Sequence, residues 1–224
     1  MATYKEIFGK QVKFLSSDPA NEGEGQVWYN STSNVFKTVL NSGSWVSSSP
    51  INTIRSVTCA TGTQTAALLM GGSTPPYPTN SAAVEEYNGS GWSNGTSIPA
   101  ATQGGAGAGT TTAGLFAAGF ISPPQGQNTS FEYDGSTWTA TAPPGFMALG
   151  RTNLGSGGTQ TAAVVYGGSG FGSPGGTNAT EEYNGTAWAT ANVMGSPRYS
   201  MEASNVGLQT ASLAIGGSSY IDTV

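Results

Sequence analysis

Five of the twelve acidic residues stand in three short segments: Glu85-Glu86-Tyr87, Phe131-Glu132-Tyr133 and Glu181-Glu182-Tyr183. Paired carboxylates could act as the acid and base of glycoside hydrolysis. Here, though, they recur at one place and alternate along a strand beside tyrosine, which points to structural hydrogen bonds with neighbouring turns. Histidine is absent, which excludes Ser-His and Cys-His nucleophilic catalysis and imidazole metal sites. The single cysteine, Cys59, rules out an intramolecular disulfide and reads as a small buried residue. Residues 104–109, Gly-Gly-Ala-Gly-Ala-Gly, superficially resemble a phosphate cradle. Such a loop must join a strand to a helix and be followed by lysine, and neither condition holds. The expectation is a protein that is not an enzyme, with no catalytic, cofactor or metal site.

The acids belong to a longer period. One phrase occurs four times, as Gly62-Thr-Gln-Thr-Ala-Ala-Leu-Leu-Met-Gly-Gly72 and again at 109–119, 158–168 and 207–217. Its central threonines, Thr65, Thr112, Thr161 and Thr210, are 47, 49 and 49 residues apart. A second phrase follows the first three copies and sets Tyr87 before Trp92, Tyr133 before Trp138 and Tyr183 before Trp188, always five residues apart. Two markers keeping one period identify a repeat protein. The apolar run closed by a glycine pair reads as a buried inner strand. Asn-Gly or Asp-Gly between Tyr and Trp predicts a tight hairpin with positive φ at both central residues. One further strand fits between each Trp and the next copy, as in residues 198–205. Four short strands per unit without helical periodicity is the pattern of a β-propeller blade.

A glycine pair closing an apolar strand, then Tyr, then Trp five residues on, resembles the kelch motif. The resemblance implies an all-β, kelch-like β-propeller of four-stranded blades. It places Gly71-Gly72, Gly167-Gly168 and Gly216-Gly217 where strands pack closely near the axis, and the Tyr and Trp residues between neighbouring blades. The second unit departs, with Ala118-Gly119. Residues 39–45 keep the step to Trp45, with Leu40 in the tyrosine place. Residues 37–224 thus hold three full units flanked by two complementary halves, which either close as four blades or form part of a longer array. The four repeat tryptophans are expected in inter-blade packing rather than stacked on sugars.

Residues 1–36 lie outside the repeat and read as an N-terminal arm with a hairpin over residues 26–37 about a polar tip. Ser-Ser-Asp-Pro-Ala-Asn followed by Glu-Gly-Gln-Val-Trp-Tyr-Asn-Ser-Thr-Ser, leading into these repeats, is similar to tail and virion structural proteins of marine bacteriophages. That resemblance spans essentially the whole chain. It implies a virion structural protein, a tail fibre or surface appendage, whose arm docks on other virion proteins while the propeller loops are available for host-surface contact. Lys5, Lys10, Lys13 and Trp28 are the docking candidates, with packing of the arm as the alternative role of Trp28. Tyr77 and Phe171, in the variable loops after the glycine pairs, are candidates for binding a host surface glycan. The alternatives are a capsid or tail decoration protein that binds only virion partners, or a bacterial surface lectin. Phage appendages are commonly oligomeric, so a homo-oligomer, a trimer, is expected, although no coiled-coil heptads are present.

Composition agrees with a neutral, hydroxyl-rich surface. Charged residues make up 8% of the chain, and 34 of 224 residues are glycine. The net charge of −5 argues against nucleic acid, whose binding depends on Lys and Arg. No apolar run is long enough to span a membrane, and the N-terminus lacks the apolar core of a signal peptide. Synthesis in a host cytoplasm and residence in the virion are the expectations. The Asn-X-Ser/Thr sequons reflect composition rather than glycosylation.

Overall fold

A computed structural model describes residues 13–20, 26–38, 46–121, 125–141, 147–170, 175–203 and 207–218. The protein is all-β, with several small antiparallel sheets and no α-helix among the described residues. It divides into two compact units, Met1–Ser47 and Ser48–Val224.

In the first unit, β1 (Lys13–Leu15) runs parallel to β2 (Val27–Asn30), and β3 (Val35–Thr38) pairs antiparallel with β2. The hairpin foreseen around residues 26–37 is therefore present, with Asn30 opposite Val35. Asp18 organises this unit. Its Oδ1 accepts from Trp28 Nε1 at 3.0 Å and Asn30 Nδ2 at 2.8 Å, while Lys37 Nζ donates to Oδ2 at 2.7 Å. These donors, Lys37 first, hold the Asp18 carboxyl down at about 2.

The second unit opens with β4 (Cys59–Thr63), β5 (Ala66–Met70) and the two-residue strands β6 (Ser73–Thr74) and β7 (Thr79–Asn80), followed by β8 (Val84–Tyr87) and β9 (Trp92–Asn94). The next repeat supplies β10 (Ala106–Gly109), β11 (Gly114–Ala117), β12 (Phe120–Ile121), β13 (Gln125–Gly126), β14 (Ser130–Tyr133) and β15 (Trp138–Ala140). The third supplies β16 (Gly155–Thr159), β17 (Ala162–Tyr166), β18 (Thr180–Tyr183) and β19 (Trp188–Ala191). Each repeat makes one four-stranded sheet, in the orders β4-β5-β8-β9, β10-β11-β14-β15 and β16-β17-β18-β19. Among the described residues, a fourth repeat contributes β20 (Glu202–Ala203) paired with β21 (Ala214–Ile215).

The apolar run expected as the inner strand lies second in each sheet. Neighbouring sheets approach instead through their first strands. There Thr61 Oγ1 donates to the Gly109 carbonyl at 2.8 Å, and Ser156 Oγ to the Gly107 carbonyl at 2.9 Å. Gly107 is a close-approach position, because a Cβ there would sit 2.6 Å from the Cys59 sulfur. Residues 104–109, the superficial phosphate cradle, thus run into a packed strand. Burial pushes the Cys59 thiol up to about 12, so it stays a neutral packing group.

The turns between Tyr and Trp correct the two-residue expectation. Tyr87 pairs directly with Trp92, Tyr133 with Trp138 and Tyr183 with Trp188, leaving four residues between them. Only the glycine takes positive φ: +92° at Gly89, +94° at Gly135 and +88° at Gly185. The preceding side chain does the rest. Asp134 Oδ1, for example, accepts from the N–H groups of Ser136 and Thr137, which holds its carboxyl well below the usual range.

The cores lie between consecutive sheets. Leu68, Met70, Val84 and Ile98 of the first sheet pack on Phe116, Tyr133 and Trp138 of the second. Leu115, Ala117 and Met147 of the second meet Val165, Tyr183 and Trp188 of the third. Tyr133, Trp138, Tyr183 and Trp188 are thus interface residues, and each repeat tyrosine lies against the tryptophan of its own hairpin. Their rings lie 5.1, 4.7 and 5.1 Å apart in the three pairs. Trp45 lies outside the described residues. Lys37 and Thr38, which a closing half-unit would use, are taken up beside β2.

Candidate functional site

Four of the five repeated acids are engaged, while Glu182 is exposed. Glu85 and Glu181, the first acids of their segments, are buried, and each pairs with an arginine thirty residues earlier. Arg55 Nη2 donates to Glu85 Oε1 at 2.9 Å, and Arg151 Nη2 donates to Glu181 Oε2. Both carboxylates also gather the backbone just before their arginine. Asn52 N–H donates to Glu85 at 2.6 Å, Thr53 N–H at 3.1 Å, and Ala148 N–H donates to Glu181. Each arginine binds carbonyls at both ends of the loop after the second strand, those of Gly71 and Ala83 or Gly167 and Ala179. Burial lowers the Arg151 guanidinium's pKa while Glu181 acts to raise it.

The second repeat lacks both partners together. Thr102 stands in the arginine place and Phe131 in the glutamate place. An ion pair has been exchanged as a unit, so neither charge is left buried alone. Sequence reasoning missed these arginines. Their signal was the spacing: Arg55, Thr102, Arg151 and Arg198 are 47, 49 and 47 residues apart.

The second acids link neighbouring sheets. Tyr133 OH donates to Glu86 at 2.7 Å, and Tyr183 OH to Glu132 at 2.8 Å. Burial first, then the bond to Glu86, pushes the Tyr133 phenol up from 10 to about 12. Because the folded value is raised, the interaction stabilises fully below pH 10, and that contribution is lost as pH rises through about 12. Tyr133→Phe should therefore flatten the alkaline fall of the urea midpoint measured from pH 9 to 11.5. An unchanged slope would remove this linkage.

The glycine pairs form a further link. Gly71, Gly167 and Gly216 have φ near +60°, and Gly72, Gly168 and Gly217 also have positive φ. This turns the Gly72 N–H to the Thr102 carbonyl and the Gly168 N–H to the Arg198 carbonyl, both at 2.8 Å, in the following repeat. Ala118 adopts the same conformation at +63°, and Gly119 N–H reaches the Arg151 carbonyl at 2.8 Å.

The loops after these glycines carry the surface-binding candidates. β6 and β7 form a small hairpin, as do β12 and β13, and Asn80 Nδ2 donates to the Phe120 carbonyl at 2.8 Å, tying the two loops together. Tyr77, at the first hairpin's tip, is 56% exposed. Phe171 lies outside the described residues, as do Lys5 and Lys10. Lys13 is exposed. Of the two roles expected for Trp28 the docking one is corrected: the residue is 2% exposed and bound to Asp18, so its ring packs the N-terminal unit. Among the described residues of that unit Phe14 and Phe36 are exposed, one tilted and one edge-on to Tyr29 at 5.0 and 5.2 Å. Among the described residues, no three His, Cys, Asp or Glu side chains converge to hold a metal. Among the same residues, no helix is long and apolar enough to cross a membrane.

The chain is similar to the solved structure titled "Structure of YjhT", with a TM-score of 0.62 over 86% of this chain and 68% of that one. The likeness is one of fold. Sequence identity is 14%. No protein-family model matches the chain, and no curated protein matches it in sequence.

Proposed function

We propose that the repeated sheets are blades of a kelch-like β-propeller, and that the protein is a non-catalytic structural component of a bacteriophage virion, a tail fibre or surface appendage. The N-terminal unit docks on other virion proteins, and the loops after the glycine pairs meet the host surface. The observation that carries this reading is the division of labour among polar groups. Glu85, Glu86, Glu132 and Glu181 are committed to holding sheets together. The exposed loop face keeps an aromatic tip among neutral hydroxyls and amides, which suits weak contact with a glycan. Similarity of the N-terminal region to phage virion proteins supports the same reading. A trimer is the proposed assembly.

The test is adsorption. Isolated protein should block phage adsorption to its host, and antibody labelling should place the chain on the particle. Tyr77→Ala and Phe171→Ala should each weaken the block about tenfold without lowering the melting temperature. Labelling on the particle without any adsorption block would favour a decoration protein. Absence from the particle would end the virion reading.

A further inference from the structure

Each repeat bends its backbone the same way two places after Arg55, Thr102, Arg151 and Arg198. There φ is +53° at Val57, +63° at Gly104, +56° at Asn153 and +52° at Ser200. A ladder of backbone bonds imposes this conformation. Gly104 N–H donates to the Val57 carbonyl at 2.9 Å, Asn153 N–H to the Gly104 carbonyl at 2.7 Å, and Ser200 N–H to the Asn153 carbonyl at 2.9 Å.

Glycine and asparagine suit the left-handed region, whereas a β-branched side chain is a steric outlier in it. Val57 is therefore the most strained of the four. It cannot relax alone. Ser56 before it exchanges backbone bonds with Ser73 at 2.9 and 2.8 Å, and its own carbonyl is held by Gly104. Full burial does not offset the strain, because Val57 is 49% exposed.

The same bonds place Val57 among the loops after the glycine pairs. Ser73 opens the β6–β7 hairpin, whose tip carries Tyr77. On the other side Gln103, next to Gly104, exchanges backbone bonds with Phe120, whose carbonyl also accepts the Asn80 amide. An aliphatic and an aromatic side chain thus stand exposed on one loop cluster, with the hydroxyls and amides of Ser56, Thr79, Asn80 and Gln103 between and around them.

This cluster is uncharged. Residues 73–80 and 119–127 contain no Lys, Arg, Asp or Glu, and Arg55, two places before Val57, is buried against Glu85. A sugar bearing carboxylate or sulfate would find no cation here to offset its desolvation. An uncharged sugar meets apolar faces for its C–H groups and neutral partners for its hydroxyls.

We infer that Val57 is a specificity-determining contact of this loop cluster, and that the ligand is an uncharged polysaccharide of the host surface. The inference rests on the reading of these loops as host-contacting. Strain held at an exposed residue, where other repeats use glycine, asparagine or serine, is the mark of a binding requirement set against stability.

The intact protein is titrated with fluorescein-labelled dextran, mannan and galactan, and with labelled alginate and hyaluronan as acidic probes. Saturable binding to at least one uncharged probe is expected, about tenfold or more tighter than to either acidic one. Val57→Asn, which copies Asn153, should weaken that binding about tenfold while the melting temperature holds or rises, because the strain is relieved. A merely structural valine would lower the melting temperature when replaced. Unchanged binding by Val57→Asn, a lowered melting temperature, preference for the acidic probes, or no saturable binding to any probe each overturns the inference. If the wild-type protein still blocks phage adsorption alongside such a failure, the host-contact reading stands without it; absence of the block removes both.

Discussion

Glu181→Leu is expected to destabilise the protein by about 3–5 kcal/mol in equilibrium urea denaturation, among the largest effects of any single substitution in the chain. The cause is the group left behind. Arg151 is wholly buried, and without Glu181 its charge would have only carbonyl partners in a site closed to water. The lead-in backbone at Ala148 would lose its acceptor as well. The second repeat shows how the same position is filled without charge. Arg151→Thr combined with Glu181→Phe copies its Thr102 and Phe131 and should recover most of the loss. Equal destabilisation by the single and double variants would show that the contribution comes from shape rather than charge.

Gly71→Ala should cost about 2–4 kcal/mol. Its φ of +61° disfavours any Cβ, and the added atom would lie 2.4 Å from the Thr102 carbonyl oxygen, which belongs to the backbone and cannot rotate away. The same oxygen accepts the Gly72 N–H, so the clash falls on a bond that joins two repeats. Ala118 is the internal control. It holds the same φ with its methyl already accommodated, so Ala118→Gly should change stability by less than about 1 kcal/mol. Thermal denaturation of the two variants, run side by side, separates the conformational requirement from the contact. A small effect of Gly71→Ala would mean that the Thr102 loop yields.

Features that repeat along the sequence were legible in it. The five-residue step from Tyr to Trp became direct cross-strand pairing, and the glycine pairs became consecutive positive-φ positions. Strand number per unit followed from the same period. The arginine–glutamate pairs were not legible because their partners stand thirty residues apart, beyond any local pattern of strand or turn. Turn geometry was misread because Asn-Gly at the start of a four-residue connection uses the asparagine side chain as a cap and leaves its backbone ordinary. Trp28 stayed open between docking and packing because nothing local shows that Asp18, ten residues away, will bind its indole. In the candidate site, Tyr77 could be placed from loop composition, whereas the Asn80 bond to the Phe120 carbonyl, which joins two loops forty residues apart, leaves no local trace in the sequence.

The cores between sheets have a consequence in time. Leu68 is covered by groups that include Tyr133 and Trp138 of the next repeat, and Trp138 leaves the ribosome 70 residues later. At about 5–20 residues per second, that delay is about 4–14 s. During it, each nascent sheet presents an apolar face to the cell. The abundant glycine of these strands lowers their tendency to add to one another, whereas their sparse charge leaves that face without repulsion, and synthesis passes the same exposed face forward, one repeat at a time.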